Sequence, residues 1–188
     1  RSKGLKKEIK SDNTPVSNGD LEVNKLLSNK IKEITPNIAI VSEENSENKN
    51  DKGLKDFWLV DPIDGTRDYI NNKDEFTLNA ALILDKTPSI GIITAPAKKR
   101  IFYSYGVSNC FELINNQQIS LIDKKKDHSE LKAVCYSNEI KPEMLEIHKK
   151  NNVTSHQKMK SSLKFCVIAS GEFDIYVAEP RACEWDIA

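Results

Sequence analysis

Two aspartates close an apolar run in the stretch FWLVDPIDGT, residues 57–66. Asp61 precedes a proline, which favours an extended backbone, and Asp64 precedes a glycine, so the two carboxylates flank a turn rather than share one helix face. Carboxylates this close in sequence repel one another unless they are protonated or bridged by cations. Hard divalent ions such as Mg²⁺, which prefer oxygen ligands, are the natural bridge. The main-chain carbonyl of Ile63 in the same turn is a further candidate ligand.

Most of the candidate acids have an ordinary structural explanation when they are taken one at a time. Asp-Pro and Asp-Gly are common turn pairs. Glu43 and Glu44, which follow IAIVS, fit a solvated strand end, and Asp20 fits the N-cap of a helix. Asp186, in CEWDIA, indicates nothing when it is taken alone. The combination of these acids with the DPIDGT string favours a metal centre over unrelated turns.

Hydrophobic periodicity predicts the elements that would position these acids. DLEVNKLLSNKIKEI predicts a helix that begins at an Asp20 N-cap and carries an apolar stripe of Val23, Leu26, Leu27, Ile31 and Ile34. FTLNAALILD and SIGIITAPA, joined by KTP, predict a hairpin, with RIFYSYG and CFELI as antiparallel neighbours. SLKFCVIASGEF predicts a helix that ends near Gly171. Helices and strands alternate without a strict βαβ rhythm, which favours layered helices and a largely antiparallel sheet.

Composition limits the classes of partner. The 188 residues include 28 Lys and Arg and 28 Asp and Glu, so the formal net charge is zero. No global field draws such a chain to a nucleic acid polymer or an anionic membrane, and an anionic ligand requires a local site. No apolar run approaches the roughly 20 residues that span a bilayer. The scattered cysteines favour reduced thiols and a cytoplasmic location over disulfides or a zinc site; they are Cys110, Cys135, Cys166 and Cys183.

Three motifs together resemble the lithium-sensitive, magnesium-dependent phosphatase superfamily that includes inositol monophosphatase, fructose-1,6-bisphosphatase and the 3'(2'),5'-bisphosphate nucleotidases. The signatures of this superfamily are an acidic pair after a strand, a D-P-[I/L]-D-G-[T/S] turn and a later W-D. They occur here in that order as SEEN, DPIDGT and EWDIA. The resemblance implies an α/β fold of the α+β type: a layered αβαβα sandwich with largely antiparallel sheets, like that of inositol monophosphatase.

Further stretches resemble the 3'(2'),5'-bisphosphate nucleotidase branch: DNTPVSNGDLEVNKLL, DEFTLNAALI and SSLKFCVIASGEFDIY. Two positions depart from that branch. Lys160 stands where the branch has a glycine, and Ala178 stands where it usually has a substrate-contacting arginine, with Arg181 close by in sequence. Family members continue past the W-D motif, so we expect residues 1–188 to be a single phosphatase domain that lacks its C-terminal portion.

The resemblance also implies a role for individual residues. Two or three Mg²⁺ ions would be held by Glu43, Asp61, the Ile63 carbonyl, Asp64 and Asp186. Asp61 would bridge two of the ions, and Glu43 would also belong to the catalytic residues. The remaining catalytic residues would be Asp20 and Thr66, which would orient the attacking water and help to deprotonate it. The substrate would meet Asp64, the N–H groups of Gly65 and Thr66 at a helix start, and Ser161 or Ser162 with Lys164.

The reaction implied is hydrolysis of the 3'-phosphate of adenosine 3',5'-bisphosphate to AMP and inorganic phosphate, by in-line attack of water without a phosphoryl-enzyme. Such an activity would remove a by-product of sulfate activation. The alternatives are an inositol monophosphatase, a sugar-bisphosphate phosphatase, or a non-catalytic protein that binds metal or nucleotide. The expected partner is therefore a small phosphate monoester. A homodimer and a peripheral association with a membrane are both left open.

Overall fold

The chain begins with a short hairpin that leads directly into a helix. The structure is a computed structural model that describes residues 4–11, 13–45, 48, 51, 53–122 and 130–178. Strands β1 (Lys7–Ile9) and β2 (Pro15–Ser17) pair antiparallel, and α1 (Asn18–Ile34) follows β2 without an intervening loop. The hairpin therefore fixes where α1 starts.

Ser17, and not the predicted Asp20, is the N-cap of α1. The Ser17 hydroxyl accepts hydrogen bonds from the N–H groups of Gly19 and Asp20 at 3.1 and 3.4 Å. In return, the Ser17 N–H donates to Asp20 Oδ2 at 2.9 Å, which completes a capping box. The predicted N-cap lay three residues too far along the chain, because Asp20 is the acid of the capping box and Ser17 is the cap.

A seven-stranded sheet carries the DPIDGT stretch. The strands lie side by side in the order in which they occur in the chain. They are β3 (Ala39–Ser42), β4 (Phe57–Asp64), β5 (Thr77–Leu84), β6 (Thr87–Ala95), β7 (Arg100–Tyr105), β8 (Cys110–Ile114) and β9 (Gln117–Ser120). β3 and β4 are parallel, and the other neighbouring pairs are antiparallel. The predicted hairpin is confirmed as β5–β6, which turns at Asp85 and Lys86. The pairing of RIFYSYG with CFELI is confirmed as β7–β8.

Helix α1 covers one face of this sheet, but it uses fewer residues than the predicted stripe. Ile31 is 7% exposed and packs with Trp58 and Val60 of β4, whereas Leu26 and Ile34 are 67% and 68% exposed. The Trp58 indole N–H donates to Thr35 Oγ1 at 3.0 Å and anchors the end of the helix. The stripe prediction was therefore wrong for Leu26 and Ile34, because α1 meets the sheet along a narrower line.

The other face of the large sheet packs on α4 (Leu163–Ala169), which separates it from a smaller sheet. That sheet is parallel, in the order β11 (Val153–Lys158), β10 (Leu131–Cys135), β12 (Ile175–Tyr176). Leu163 and Val167 of α4 share a core with Phe102 of β7 and Val134 of β10. On the opposite face of β10, Cys135 lines a cleft with Met144 of α3 (Pro142–Lys150).

The layers therefore follow the order α1, large sheet, α4, small sheet and α3. This order confirms the predicted layered α/β fold, and the helix that was expected to end near Gly171 is α4. The large sheet is largely antiparallel as predicted, whereas the small sheet is parallel. Among the described residues, no helix combines the length and the apolar character that crossing a bilayer requires.

Candidate active site

The acidic ends of β3 and β4 lie side by side. The parallel register pairs Ser42 with Val60, so Glu43 and Asp61 are the next residues of the two strands. The Glu43 N–H donates to the Val60 carbonyl at 3.0 Å and ties the turn after β3 to β4. Asp61 is 2% exposed, as is Ile63. Three predicted ligands thus belong to neighbouring strand ends on one edge of the sheet.

A bulge at the end of β4 explains how Asp61 and Asp64 can act together. Asp61 pairs with Asn79 and Asp64 with Thr77, so β4 has two residues between its aspartates where β5 has only Leu78. Side chains alternate along a regular strand, so residues three apart would face opposite sides of the sheet. The extra residue of a bulge cancels that alternation. The D-P-I-D spacing therefore directs both carboxylates to the same side as Asn79 and Thr77.

The turn after Asp64 requires glycine. Gly65 has φ 90° and ψ 33°, and a Cβ atom there would lie 2.8 Å from the carbonyl oxygen of Glu75. The Gly65 carbonyl accepts hydrogen bonds from the N–H groups of Asp68 and Tyr69, both at 2.9 Å, and these bonds start the short helix α2 (Thr66–Ile70). Gly65 thereby places Thr66 at the first position of α2, directly after the acidic strand end.

Thr66 and Asp20 are hydrogen-bonded although 46 residues separate them in the chain. Thr66 Oγ1 lies 2.9 Å from Asp20 Oδ1 and 3.0 Å from the Ile63 carbonyl, so the one hydroxyl proton serves two acceptors. Asp20 is 1% exposed, and its Oδ2 accepts from the Ser17 hydroxyl at 2.5 Å. The capping box of α1 therefore holds this carboxylate in the position that the Thr66 hydroxyl needs.

The carboxylates after β3 face a lysine that the sequence did not single out. Lys10 Nζ lies 2.5 Å from Glu44 Oε1 and 3.3 Å from Glu43 Oε1. Burial lowers the pKa of Lys10, but the hydrogen bond to Glu44 and the charges of both glutamates outweigh burial and raise the pKa overall. Burial is also the main cause of the raised pKa of Glu44. Lys10 therefore stays protonated at neutral pH and neutralises part of the acidic pair.

The donor chemistry of this edge suits Mg²⁺. Carboxylates and a main-chain carbonyl are the hard oxygen ligands that Mg²⁺ prefers, and a carboxylate buried as deeply as Asp61 requires compensation by positive charge or by donors. Among the described residues, no three Asp, Glu, His or Cys side chains converge as a ready-made metal cluster. The remaining predicted ligand, Asp186, lies outside the described residues.

The predicted substrate residues of the SSLKF stretch meet the acidic edge directly. The Ser162 N–H and hydroxyl both donate to Asp64 Oδ2, the hydroxyl at 2.7 Å. Ser161 and Ser162 are fully buried, so neither lies at a surface in this arrangement. Lys164 is 8% exposed, donates to the carbonyls of Lys160 and Ser161 at 3.2 Å, and has its ammonium 4.4 Å from the Phe165 ring centroid.

Sequence reasoning missed residues that hold the predicted ones in place. Lys10 gave no signal because it stands in a polar stretch, and the β1–β2 hairpin is what brings it to the acids. Ser17 precedes a helix three residues before an acid, which is the spacing of a capping box. Asn79 is a single amide inside the apolar run FTLNAALIL, and a polar residue in a buried strand is a usable signal.

Comparisons with known proteins place this arrangement in a family. The family model described as "Inositol monophosphatase family" matches residues 1–188. The chain belongs to the inositol monophosphatase family. The 3'(2'),5'-bisphosphate nucleotidase CysQ of Buchnera aphidicola is 34% identical over 182 residues, which are 95% of this chain and 67% of that protein. The resemblance to the family and to its nucleotidase branch is therefore confirmed.

Solved structures of family members share the fold. CysQ from Bacteroides thetaiotaomicron has a TM-score of 0.69 at 25% identity, covering 86% of this chain and 68% of that one. An IMPase/NADP phosphatase complexed with Mg²⁺ and phosphate has a TM-score of 0.78 at 17% identity, covering 97% of this chain and 69% of that one. The second likeness shows the fold alone. Family membership makes a divalent metal, Mg²⁺, the expected cofactor.

Proposed function

We propose that the protein is a magnesium-dependent 3'(2'),5'-bisphosphate nucleotidase. It removes the 3'-phosphate of adenosine 3',5'-bisphosphate and releases AMP and inorganic phosphate. The observation that carries the proposal is the hydrogen bond between Thr66 and Asp20 at 2.9 Å, together with the burial of Asp61. The identity to nucleotidases of this branch over nearly the whole chain supports the choice of substrate.

The residues that would hold two or three Mg²⁺ ions are Glu43, Asp61, the Ile63 carbonyl, Asp64 and Asp186. Magnesium bound in this way supplies an acidified water and charge neutralisation at the leaving oxygen. The burial of Asp61 and the bulge that aligns it with Asp64 support their place in this set. An IMPase/NADP phosphatase with this fold is known as a complex with Mg²⁺ and phosphate, which agrees with the cofactor.

Proton transfer from water is assigned to Thr66 and Asp20. When Thr66 donates its proton to Asp20, the lone pairs of its hydroxyl oxygen are directed to the attacking water, and Asp20 becomes the eventual proton acceptor. Ser17 fixes the orientation of Asp20 through two hydrogen bonds, so the acceptor does not need to reorganise. The water oxygen forms the new P–O bond as the bond from phosphorus to the ribose 3'-oxygen breaks, and that oxygen takes a proton from solvent. The N–H groups of Gly65 and Thr66, at the start of α2, are assigned to the phosphate.

The nucleotide side of the site is assigned to the first turn of α4. Lys164 is assigned as the cation for the second phosphate on the strength of the resemblance to the nucleotidase branch; in the structure its ammonium donates to the carbonyls of Lys160 and Ser161. Ser162 acts through its hydrogen bonds to Asp64, and Ser161 lies beside it. Lys160, where the branch has glycine, adds a second cation whose Nζ lies 4.0 Å from Asp68 of α2.

The test is phosphate release from adenosine 3',5'-bisphosphate, an inositol monophosphate and fructose 1,6-bisphosphate, each with Mg²⁺ and with EDTA. We expect the highest kcat/KM for the nucleotide, complete dependence on Mg²⁺ and inhibition by Li⁺. A higher kcat/KM for the inositol or sugar phosphate would replace the nucleotide with that substrate. Binding of Mg²⁺ or nucleotide without release of phosphate from any of the three would favour a non-catalytic binding protein.

A further inference from the structure

A buried polar chain crosses from the large sheet to α4. Asn79 of β5 is 4% exposed and stands opposite Asp61 in the register of β4 and β5. Its amide Nδ2 donates to Ser162 Oγ at 3.0 Å, a contact between residues 83 positions apart. Ser162 in turn donates to Asp64. Asn79 thus connects two layers at the point where a candidate metal ligand ends β4.

The direction of this chain follows from counting protons. A serine hydroxyl has one proton, and an ionised carboxylate only accepts. The Ser162 hydroxyl lies 2.7 Å from Asp64 Oδ2, so its proton is directed there, and its lone pair accepts from the Asn79 amide. Donation therefore runs from Asn79 to Ser162 to Asp64. Each bond polarises the next, which strengthens the hold on the carboxylate.

The arrangement selects one oxygen of Asp64. The Ser162 N–H donates to the same Oδ2 as the hydroxyl does, so two donors occupy that oxygen. Oδ1 is left as the oxygen through which Asp64 can bind a cation. Partners that orient a ligating carboxylate in this way tune the affinity of a metal site without touching the metal.

We propose that Asn79 is a positioning residue that acts through Ser162 to hold the Asp64 carboxylate by its Oδ2 and to leave Oδ1 for a cation. The inference rests on the proposed function, because it takes Asp64 as a ligand. It goes further by assigning a role to the FTLNAALI stretch. It also predicts that Asn79 and Ser162 act as one unit.

The test compares Asn79→Leu, Ser162→Ala and the double variant with wild type. Asn79→Leu keeps the volume and removes the donor. We measure the Mg²⁺ dissociation constant by calorimetry in the absence of substrate, then kcat and KM for adenosine 3',5'-bisphosphate. Each single variant should weaken Mg²⁺ binding and lower kcat by roughly 10- to 100-fold, the range for partners of metal ligands. The double variant should lose no more than the stronger single variant, because residues that act in series are not additive.

Two further measurements separate positioning from loss of structure. Cys166 lies one turn along α4 from Ser162 and is 4% exposed, and burial raises the pKa of its thiol to about 12. In Asn79→Leu, Cys166 should stay as slow towards a thiol reagent as in wild type, as judged by mass spectrometry of peptides. The melting temperature of the metal-free protein should also be retained. Ser162→Thr, which keeps the hydroxyl, should restore Mg²⁺ affinity towards that of wild type.

Thr77→Val is the matched control. Thr77 is fully buried on the same strand, and its hydroxyl makes no hydrogen bond within the described part of the chain. The Thr77→Val substitution should leave the Mg²⁺ affinity unchanged. Wild-type Mg²⁺ affinity in Asn79→Leu, additive losses in the double variant, or equal losses in Thr77→Val would each overturn the inference. A wild-type protein that binds Mg²⁺ but releases no phosphate refutes the proposed function, while the calorimetric comparison still decides the role of Asn79.

Discussion

Two regions with opposite chemistry meet at the contact between Asp64 and Ser162. The acidic edge, defined as Asp20, Glu43, Asp61 and Asp64, gathers carboxylates from α1, the turn after β3 and the end of β4. The α4 turn, defined as residues 160–164, contains two serines, two lysines and no acid. The acidic edge is suited to cations, whereas the α4 turn is suited to anions and to orienting an acid.

The partners of the acids differ in the same way. Asp20 and Asp64 are held by neutral hydroxyl and N–H donors, which orient a carboxylate and leave its charge in place. Glu43 and Glu44 are held by the ammonium of Lys10, which partly cancels their charge. The donors to Asp64 therefore prepare a ligand for metal, whereas the ammonium of Lys10 competes with metal for Glu43. Three substitutions test this separation.

The largest effect is expected at Asp61. Asp61→Asn keeps the shape and removes the charge at a position that is 2% exposed. We expect kcat to fall by roughly 10³-fold or more, the scale seen when a member of a catalytic unit is removed. Mg²⁺ binding in the calorimeter should be lost for the most part. The fold should survive, because a buried carboxylate near other carboxylates does not stabilise the metal-free protein.

Asp85→Asn is the control for this change. Asp85 lies in the exposed β5–β6 turn with φ 46°, a conformation that asparagine also tolerates. The turnover and the Mg²⁺ affinity of the Asp85→Asn variant should equal those of wild type. Magnesium-dependent turnover retained in Asp61→Asn would remove this residue from the metal set.

A smaller, substrate-selective effect is expected at Lys164. Lys164→Met keeps a flexible stem beside Phe165 and Tyr176 and removes the ammonium, which lies 4.4 and 5.6 Å from the two ring centroids. KM for adenosine 3',5'-bisphosphate should rise roughly 10- to 100-fold, since a hydrogen bond to a charged group contributes about 1.5–3 kcal/mol. Adenosine 3'-monophosphate, which lacks the second phosphate, should be affected much less.

The control at this position is Lys150→Met, at the exposed end of α3. It should leave both kinetic parameters unchanged on both nucleotides. An equal rise of KM for the two nucleotides in Lys164→Met would show that Lys164 supports the α4 turn rather than the second phosphate.

The features of the acidic edge that could be predicted are those that neighbouring residues determine. Proline and glycine define the DPIDGT turn, and the apolar alternation of β5 and β6 defines their hairpin. The layered α/β fold followed from the motif resemblance. The roles of Glu43, Asp61, Asp64 and Asp186 stay predictions.

The remaining features depend on pairing between distant segments. The bulge that brings Asp61 and Asp64 to one side exists only because β5 places one residue opposite two of β4. Lys10 reaches Glu44 across 34 positions, and Asn79 reaches Ser162 across 83. The burial of Ser161 and Ser162, which were expected to face the nucleotide, also follows from the docking of α4. No local pattern encodes such contacts.

The smallest effect is expected at Lys10, the cation within reach of the acidic pair. Lys10→Met should lower the Mg²⁺ dissociation constant by up to about 5-fold, because partly exposed ion pairs contribute between roughly 0 and 1 kcal/mol. Its side chain is 21% exposed, and that of Glu43 is 27% exposed. The metal-free protein should lose up to about 1 kcal/mol of stability, since Glu43 and Glu44 then repel each other without a cation. Calorimetry and thermal unfolding, each with and without Mg²⁺, measure the two effects.

The pH dependence sharpens this last prediction. The pKa of Lys10 is raised in the folded protein, so its stabilising contribution is complete below the ordinary lysine pKa and is lost only as pH rises through the raised value. The difference in unfolding free energy between wild type and Lys10→Met should therefore not decline as pH rises from 7 to 9. Lys7→Met, an exposed lysine on β1, should show neither effect. Weaker Mg²⁺ binding in Lys10→Met would mean that Lys10 prepares the acidic edge for metal, as Ser162 does, and does not compete with it.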